Sequence, residues 1–144
     1  MKIMVSACLL GDNTKYNGKN NQNKRLITFL KDYEIISVCP EVMGGLTIPR
    51  NPSEIKEEKV INNLGCDVTE NFNKGALKTL ELALQHEIKV AILKDGSPSC
   101  GSKMIYDGTF TNNKIMGMGI TAKLLEKNGI KVLNENNYQE YFIK

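Results

Sequence analysis

Lys2-Ile3-Met4-Val5-Ser6-Ala7 is an apolar, β-prone run without a polar face. Strands of a half-exposed sheet alternate apolar and polar side chains, whereas strands covered on both faces by helices do not. The run reads as a buried strand of a parallel sheet. Three similar runs follow at Glu34–Val38 (EIISV), Lys89–Leu93 (KVAIL) and Ile130–Leu133 (IKVL). Helical patterns lie between them. Leu26, Phe29, Leu30 and Tyr33 share one face and predict a helix of about three turns. Asp67, with Glu70 three residues on, reads as a helix cap. Val68, Phe72, Ala76, Leu80, Ala83 and Leu84 supply the apolar stripe of that second helix, which ends near Glu87. Ile120, Leu124 and Leu125 mark a third helix closed by Asn128-Gly129, and Tyr138–Ile143 a short terminal one. This alternation predicts an α/β fold in three layers, Rossmann-like or flavodoxin-like, with a mostly parallel sheet of about four strands and the strand order open.

A chain of 144 residues fits one domain over 1–144. With 41% hydrophobic and 24% charged residues, it belongs to neither the disordered nor the membrane-spanning class. Net charge is only +3, and Arg25 and Arg50 are its arginines, which is thin for gripping nucleic-acid phosphates. Val5-Ser6-Ala7-Cys8 mimics a lipid-attachment box, but Ile3, Met4 and Val5 are too short a core for a signal segment. The expected location is the cytoplasm. Four cysteines without a C-x-x-C pair are expected there as reduced thiols.

The connecting segments carry the polar chemistry. Gly11–Asn23 is a Gly/Asn-rich loop. Glu41–Asn63, punctuated by Gly44-Gly45, Pro49 and Pro52, is a long loop with room for one short helical turn or hairpin, and loops of that length are candidate lids. Within it, Glu54–Lys59 (EIKEEK) reads as a solvated helical face. Met116 and Met118 read as core filling, and His86 as a cation suited to a helix C-terminus.

Cys8 follows the first strand, Cys39 ends the second and Cys100 lies in the loop after the third. In a parallel sheet those carboxyl ends share one edge, where ligands bind. A lone cysteine is usually a small buried hydrophobe, but three at equivalent positions point to a ligand set. Zinc with an open position and an iron–sulfur cluster with one iron lacking a protein ligand both fit. Cys66 precedes a helix and is left out of the set. His86 is the single histidine, so catalysis has little imidazole to draw on.

Ser6-Ala7-Cys8-Leu9-Leu10-Gly11, Cys39-Pro40-Glu41 with Gly44-Gly45-Leu46 and Pro49-Arg50, Gly65-Cys66-Asp67-Val68-Thr69, Ser97-Pro98-Ser99-Cys100-Gly101 and Tyr106-Asp107-Gly108-Thr109-Phe110 stand in this order. Together they resemble a bacterial family long described as a domain of unknown function, whose characterised members are thiouracil desulfidases. The resemblance implies a [4Fe-4S] cluster held by Cys8, Cys39 and Cys100, with one iron open to the sulfur of a thiolated pyrimidine, and non-redox release of uracil and sulfide. Zinc is the lesser alternative.

Glu41, close behind a ligand, is placed to move protons, and Ser97 to orient water or substrate. Ser99 and Lys94 are expected at the substrate, Lys94 against developing negative charge. Without the motif, each is equally an ordinary loop carboxylate, turn serine or solvated cation. Lys15-Tyr16-Asn17-Gly18 stands where the family often has Arg-Tyr-Asp-Gly, and Gly96 where a larger residue is common, which bears on substrate choice. Because the chain ends at Lys144 without the extra domain of relatives resembling tRNA desulfidases, a free base or nucleoside is the expected substrate rather than nucleic acid. Two other classes stay open: a non-catalytic iron–sulfur or zinc sensing module, and a nucleotide binder, which lacks a G-x-G-x-x-G after the first strand. Oligomeric state is not legible.

Overall fold

The computed structural model describes residues 1–142. In chain order its elements are β1 (Lys2–Ser6), α1 (Lys24–Phe29), β2 (Glu34–Val38), α2 (Pro40–Met43), β3 (Ser53–Lys56), β4 (Lys59–Asn62), α3 (Thr69–Gln85), β5 (Val90–Ile92), β6 (Met104–Tyr106), β7 (Lys114–Met116), α4 (Ile120–Lys127), β8 (Lys131–Leu133) and α5 (Tyr138–Phe142). Two 3-10 turns, Ala7–Leu10 and Leu30–Asp32, follow β1 and α1.

The four buried runs form one parallel sheet in the order β2-β1-β5-β8, which is the flavodoxin-like order over these strands. Its period-2 alternation sorts side chains between two cores. Met4, Ala91 and Val132, aligned across the sheet, face Ala83, Ala122 and Leu125 of α3 and α4. Ile3, Val5, Val90, Ile92 and Leu133 face Leu26, Leu30 and Tyr138 on the side of α1 and α5. The larger of these side chains each contribute about 1.5–3 kcal/mol by leaving water. The three layers are those expected.

Several local expectations need correction. The first helix is shorter than three turns: Asn23 accepts the Leu26 N–H at 3.0 Å to start it, and the chain tightens into a 3-10 turn at Leu30. Asp67 accepts the Thr69 N–H at 2.9 Å but stands one residue ahead of the flanking Val68, and no side chain caps α3. Leu84, assigned to the stripe, is 57% exposed, because the buried face runs through Phe72, Ala76, Thr79 and Ala83. Ile143 of the expected terminal helix lies outside the described residues.

The long loop contains both a helical turn, α2, and a hairpin, β3–β4. Glu54–Lys59 is therefore strand and turn, not a helical face. Glu57 and Glu58 take φ of 50° and 66°, the left-handed pair of a two-residue hairpin turn. A second hairpin, β6–β7, was not expected, and it carries Met116 at 80% exposure instead of in the core. Both hairpins stand apart from the parallel sheet, and β3 touches β6.

Candidate active site

From β1 the chain passes to β2 on one side and later returns to β5 on the other, so the switch point lies between β1 and β5. A cavity of about 500 Å³ opens there, with Cys8, Cys39 and Cys100 in its wall. Cys8 sits in the 3-10 turn directly after β1, closed by Gly11 at φ +102°, a conformation that favours glycine. Asn21 steadies it, donating its backbone N–H to the Cys8 carbonyl at 2.9 Å and its side-chain amide to Sγ at 3.6 Å. Cys39 leaves β2 and opens α2, its Sγ 3.9 Å from the Thr14 carbonyl. Cys100, 5% exposed, closes the turn after β5 with its N–H on Ser97 Oγ at 3.1 Å. Cys66 is exposed and outside the cavity wall.

Burial raises the Cys8 thiol above its ordinary value, opposed chiefly by the Asn21 hydrogen bond. Burial pushes Cys100 up to about 12 against hydrogen bonds from Ser6 and Ser99. In both, charge on the other cavity cysteines raises the value further. Cys8 and Cys100 are thus held toward their protonated thiols, and binding a cation through them must release those protons.

Glu41, in the first turn of α2, meets the cysteine edge from the side. Its Oε1 accepts Arg50 Nε–H at 3.1 Å, and its Oε2 accepts Ser99 Oγ–H at 2.9 Å. Ser97 Oγ is 2.9 Å from Ser99 Oγ and 3.5 Å from Glu41 Oε2. Direction follows from counting lone pairs. Ser97 Oγ already accepts the N–H groups of Ser99 and Cys100, both at 3.1 Å, so its own proton points to Ser99 or Glu41. Ser97, Ser99 and Arg50 thus form a hydrogen-bond relay that converges on the Glu41 carboxylate, the serines donating toward Oε2 and Arg50 to Oε1.

Lys94 lines the cavity, but its Nζ is held by Glu135 Oε2 at 2.9 Å and the Asp95 carbonyl at 2.7 Å. It is a fixed charge near Cys8, not a free arm. Sequence reasoning assigned no role to Arg50, Asn21, Glu54 or Glu135. Arg50, one of two arginines and next to Pro49, was the detectable signal. It joins Glu41 to the Thr14 and Thr47 carbonyls, and its own N–H donates to the Tyr16 carbonyl at 2.7 Å.

Among the described residues, no helix is long and apolar enough to cross a membrane. A family model described as 2-thiouracil desulfurase matches residues 3–137. An uncharacterised Bacillus subtilis (strain 168) protein, YbbK, is 38% identical over 148 residues, 96% of this chain and 98% of its own. A solved structure titled [4Fe-4S]-dependent thiouracil desulfidase TudS is 42% identical, with a TM-score of 0.91 over 96% of this chain and 93% of its own. The matched region runs from β1 to the threshold of α5 and takes in every wall of the cavity, and the chain belongs to the 2-thiouracil desulfurase family.

Proposed function

We propose that this single-domain protein is an iron–sulfur-dependent, non-redox desulfidase of the reducing cytoplasm that converts 2-thiouracil, or a closely related thiolated pyrimidine, to uracil and sulfide. Three thiols from three separate strand ends, opening into one cavity beside a directed carboxylate–serine relay, carry the reading. The donor set fits a cluster: three soft sulfurs, Cys100 buried and Cys8 and Cys39 half-buried, around a space of about 500 Å³. Nothing comparable favours zinc. Among the described residues no three His, Cys, Asp or Glu side chains gather to hold a single metal ion. The proposed ligands are Cys8, Cys39 and Cys100, with one iron lacking a protein ligand. When bound, such a cluster supplies a thiophilic Lewis acid for the substrate's sulfur.

The chain's own residues supply the proton chemistry. Replacing C=S by C=O consumes one water and releases hydrogen sulfide, so protons move and no electrons are transferred. Glu41 is the proposed base for the attacking water, its carboxylate fixed by Arg50 at one oxygen and Ser99 at the other. Ser97 is its proposed proton partner and Ser99 the hydroxyl that links them and meets the substrate. Lys94, locked to Glu135, adds positive potential where negative charge develops on ring and sulfur.

Anaerobic reconstitution followed by iron, sulfide and absorbance measurements tests the ligand set. Serine variants of Cys8, Cys39 and Cys100 are expected to lose the cluster and Cys66→Ser to keep it. Assay of uracil and sulfide from 2-thiouracil tests the activity. A loaded protein inert toward every thiopyrimidine would refute the enzyme reading and favour the sensing module.

A further inference from the structure

Two acidic residues of the cavity wall lie outside the relay, Asp95, whose Oδ1 is spent on the Lys103 and Met104 N–H groups, and Glu54. Glu54 lies on β3, 9% exposed, and among the described residues no cation pairs with it: the ion pairs there are Arg50–Glu41, Lys94–Glu135 and Lys131–Glu126. One oxygen is fully used. Oε1 accepts the N–H groups of Gly108 at 2.9 Å and Phe110 at 3.1 Å, clipping the loop between β6 and β7 onto the first hairpin. Gly108 packs so closely there that an added Cβ would stand 2.8 Å from the Ile55 carbonyl oxygen.

Oε2 accepts no hydrogen bond from the described residues. It is not sealed in either: the fully buried side-chain N and O atoms left unpartnered are Thr121 Oγ1 and Tyr138 OH. A carboxylate nine-tenths buried, with one oxygen pinned and the other reachable, presents that second oxygen as an acceptor to whatever N–H or O–H enters the cavity. Phe110, whose N–H the same carboxylate holds, also lines the cavity, so an aromatic face accompanies the acceptor.

We propose that Glu54 is a specificity residue that accepts a ring N–H of the substrate, and so selects cyclic thioureides and thioamides that carry N–H beside the thiocarbonyl. The proposal rests on the desulfidase reading for the identity of the ring. Thiopyrimidine bases offer this donor, whereas alkylation of the contacted nitrogen removes it. Pinning Oε1 leaves the other oxygen preoriented, which favours discrimination over tight uniform binding.

The test uses cluster-loaded wild type, Glu54→Gln and Glu54→Ala, with 2-thiouracil and its N1-methyl and N3-methyl derivatives. Gln keeps a carbonyl acceptor for Gly108 and Phe110 but presents its amino group to the ring, donor against donor. Expected for Glu54→Gln are an unchanged iron content, a KM for 2-thiouracil raised at least tenfold with kcat within about threefold, and loss of the wild type's preference for 2-thiouracil over one N-methyl isomer. Glu54→Ala, which also frees the loop, should lose that preference too. An unchanged preference in Glu54→Gln overturns the proposal, as does a wild type indifferent to both methylations. Calorimetric titration with uracil separates this from failure of the enzyme reading. If wild type turns over nothing yet binds uracil at least tenfold more tightly than Glu54→Gln, the recognition role stands; equal binding removes it.

Discussion

Gly75→Ala should damage this protein even though replacing glycine by alanine inside a helix ordinarily helps it. Gly75 lies mid-way along α3 against α2, the four-residue helix that begins after Cys39 and carries Glu41. A Cβ added at Gly75 overlaps the Pro40 carbonyl oxygen and stands 2.9 Å from its carbon and 3.2 Å from the Gly44 nitrogen. All are backbone atoms, and the Pro40 oxygen already accepts the Gly44 N–H at 2.9 Å, so no side-chain rotation relieves the contact. Gly44 mirrors it, since a Cβ there overlaps the Asn71 carbonyl oxygen. The two glycines are the surface on which α2 and α3 touch.

Helix propensity returns about 1 kcal/mol to the variant, while overpacking against unyielding backbone costs about 3 kcal/mol, the upper end of the usual range. The expected net loss is about 2 kcal/mol, a fall in Tm of roughly 6 °C for a chain of this length. If α2 slides away instead, stability is partly recovered but Cys39 and Glu41 move with it, and a shift of about 1 Å at a reacting group costs on the order of 100-fold in rate. Asn73→Ala, exposed on the same helix, is the control and should gain a few tenths of a kcal/mol. Urea and thermal unfolding followed by circular dichroism, with kcat on 2-thiouracil, read both routes. Wild-type Tm together with wild-type kcat in Gly75→Ala would refute the packing argument.

Arg50→Lys keeps the charge but loses the fork that reaches Glu41, Thr14 and Thr47 together, so kcat should fall about 10–100-fold with iron content retained, measured on reconstituted protein. Ser97→Ala strands the N–H groups of Ser99 and Cys100 and should cost about 1–3 kcal/mol in urea unfolding. Ser99→Ala should cost about 1 kcal/mol while lowering kcat comparably, because it cuts the link to Glu41. Cluster-free, reduced protein should lose stability in alkali. Folding raises the Cys100 thiol from its ordinary 9.0 to about 12, so the folded state holds that proton more tightly than the unfolded chain. Its contribution is complete below about pH 9 and declines as pH climbs toward 12, and urea midpoints against pH should fall less steeply in Cys100→Ser.

The cysteine edge was legible because it rests on topology alone. Strand ends of a parallel sheet lie together whatever their order, so placing Cys8, Cys39 and Cys100 after apolar runs was enough to bring them together. What failed was local and short. β6 and β7 are three residues each, too short to show a period, and their loop is held by Glu54, more than fifty positions away. The turn at Glu57-Glu58 uses left-handed backbone without the Gly or Asn that announces it, and five charges in the six residues Glu54–Lys59 imitate a helix surface. Arg50 and Glu41 sit in one irregular stretch where no periodicity says which side chains turn inward. Glu54 is the instructive case: in composition it is one more surface acid, and only tertiary structure shows that it is nine-tenths buried with one oxygen bonded to two backbone N–H groups.

The cavity therefore has a floor and a wall held by different physics. Its floor hangs from the edge strand β2 and from β1 and β5, the central strands, with Ile3, Met4, Val5 and Ile92 fully buried. Its outer wall is two hairpins that share no strand with that sheet. Two-stranded hairpins are marginal alone, so the wall's stability rests on Val60 and its hydrogen bonds to the start of α3, on Glu54, on the Gly108 contact and on the bridge between Gly96 and Ile105. Opening the wall need not open the floor, and regions with few buried apolar contacts open at lower free energy. Amide exchange should accordingly be slow in β1 and β5 and markedly faster in β3, β4, β6 and β7, with uracil slowing the second group alone. Equal protection of sheet and hairpins would mean that the wall unfolds only with the whole molecule, and substrate entry would then have to proceed through a fixed mouth.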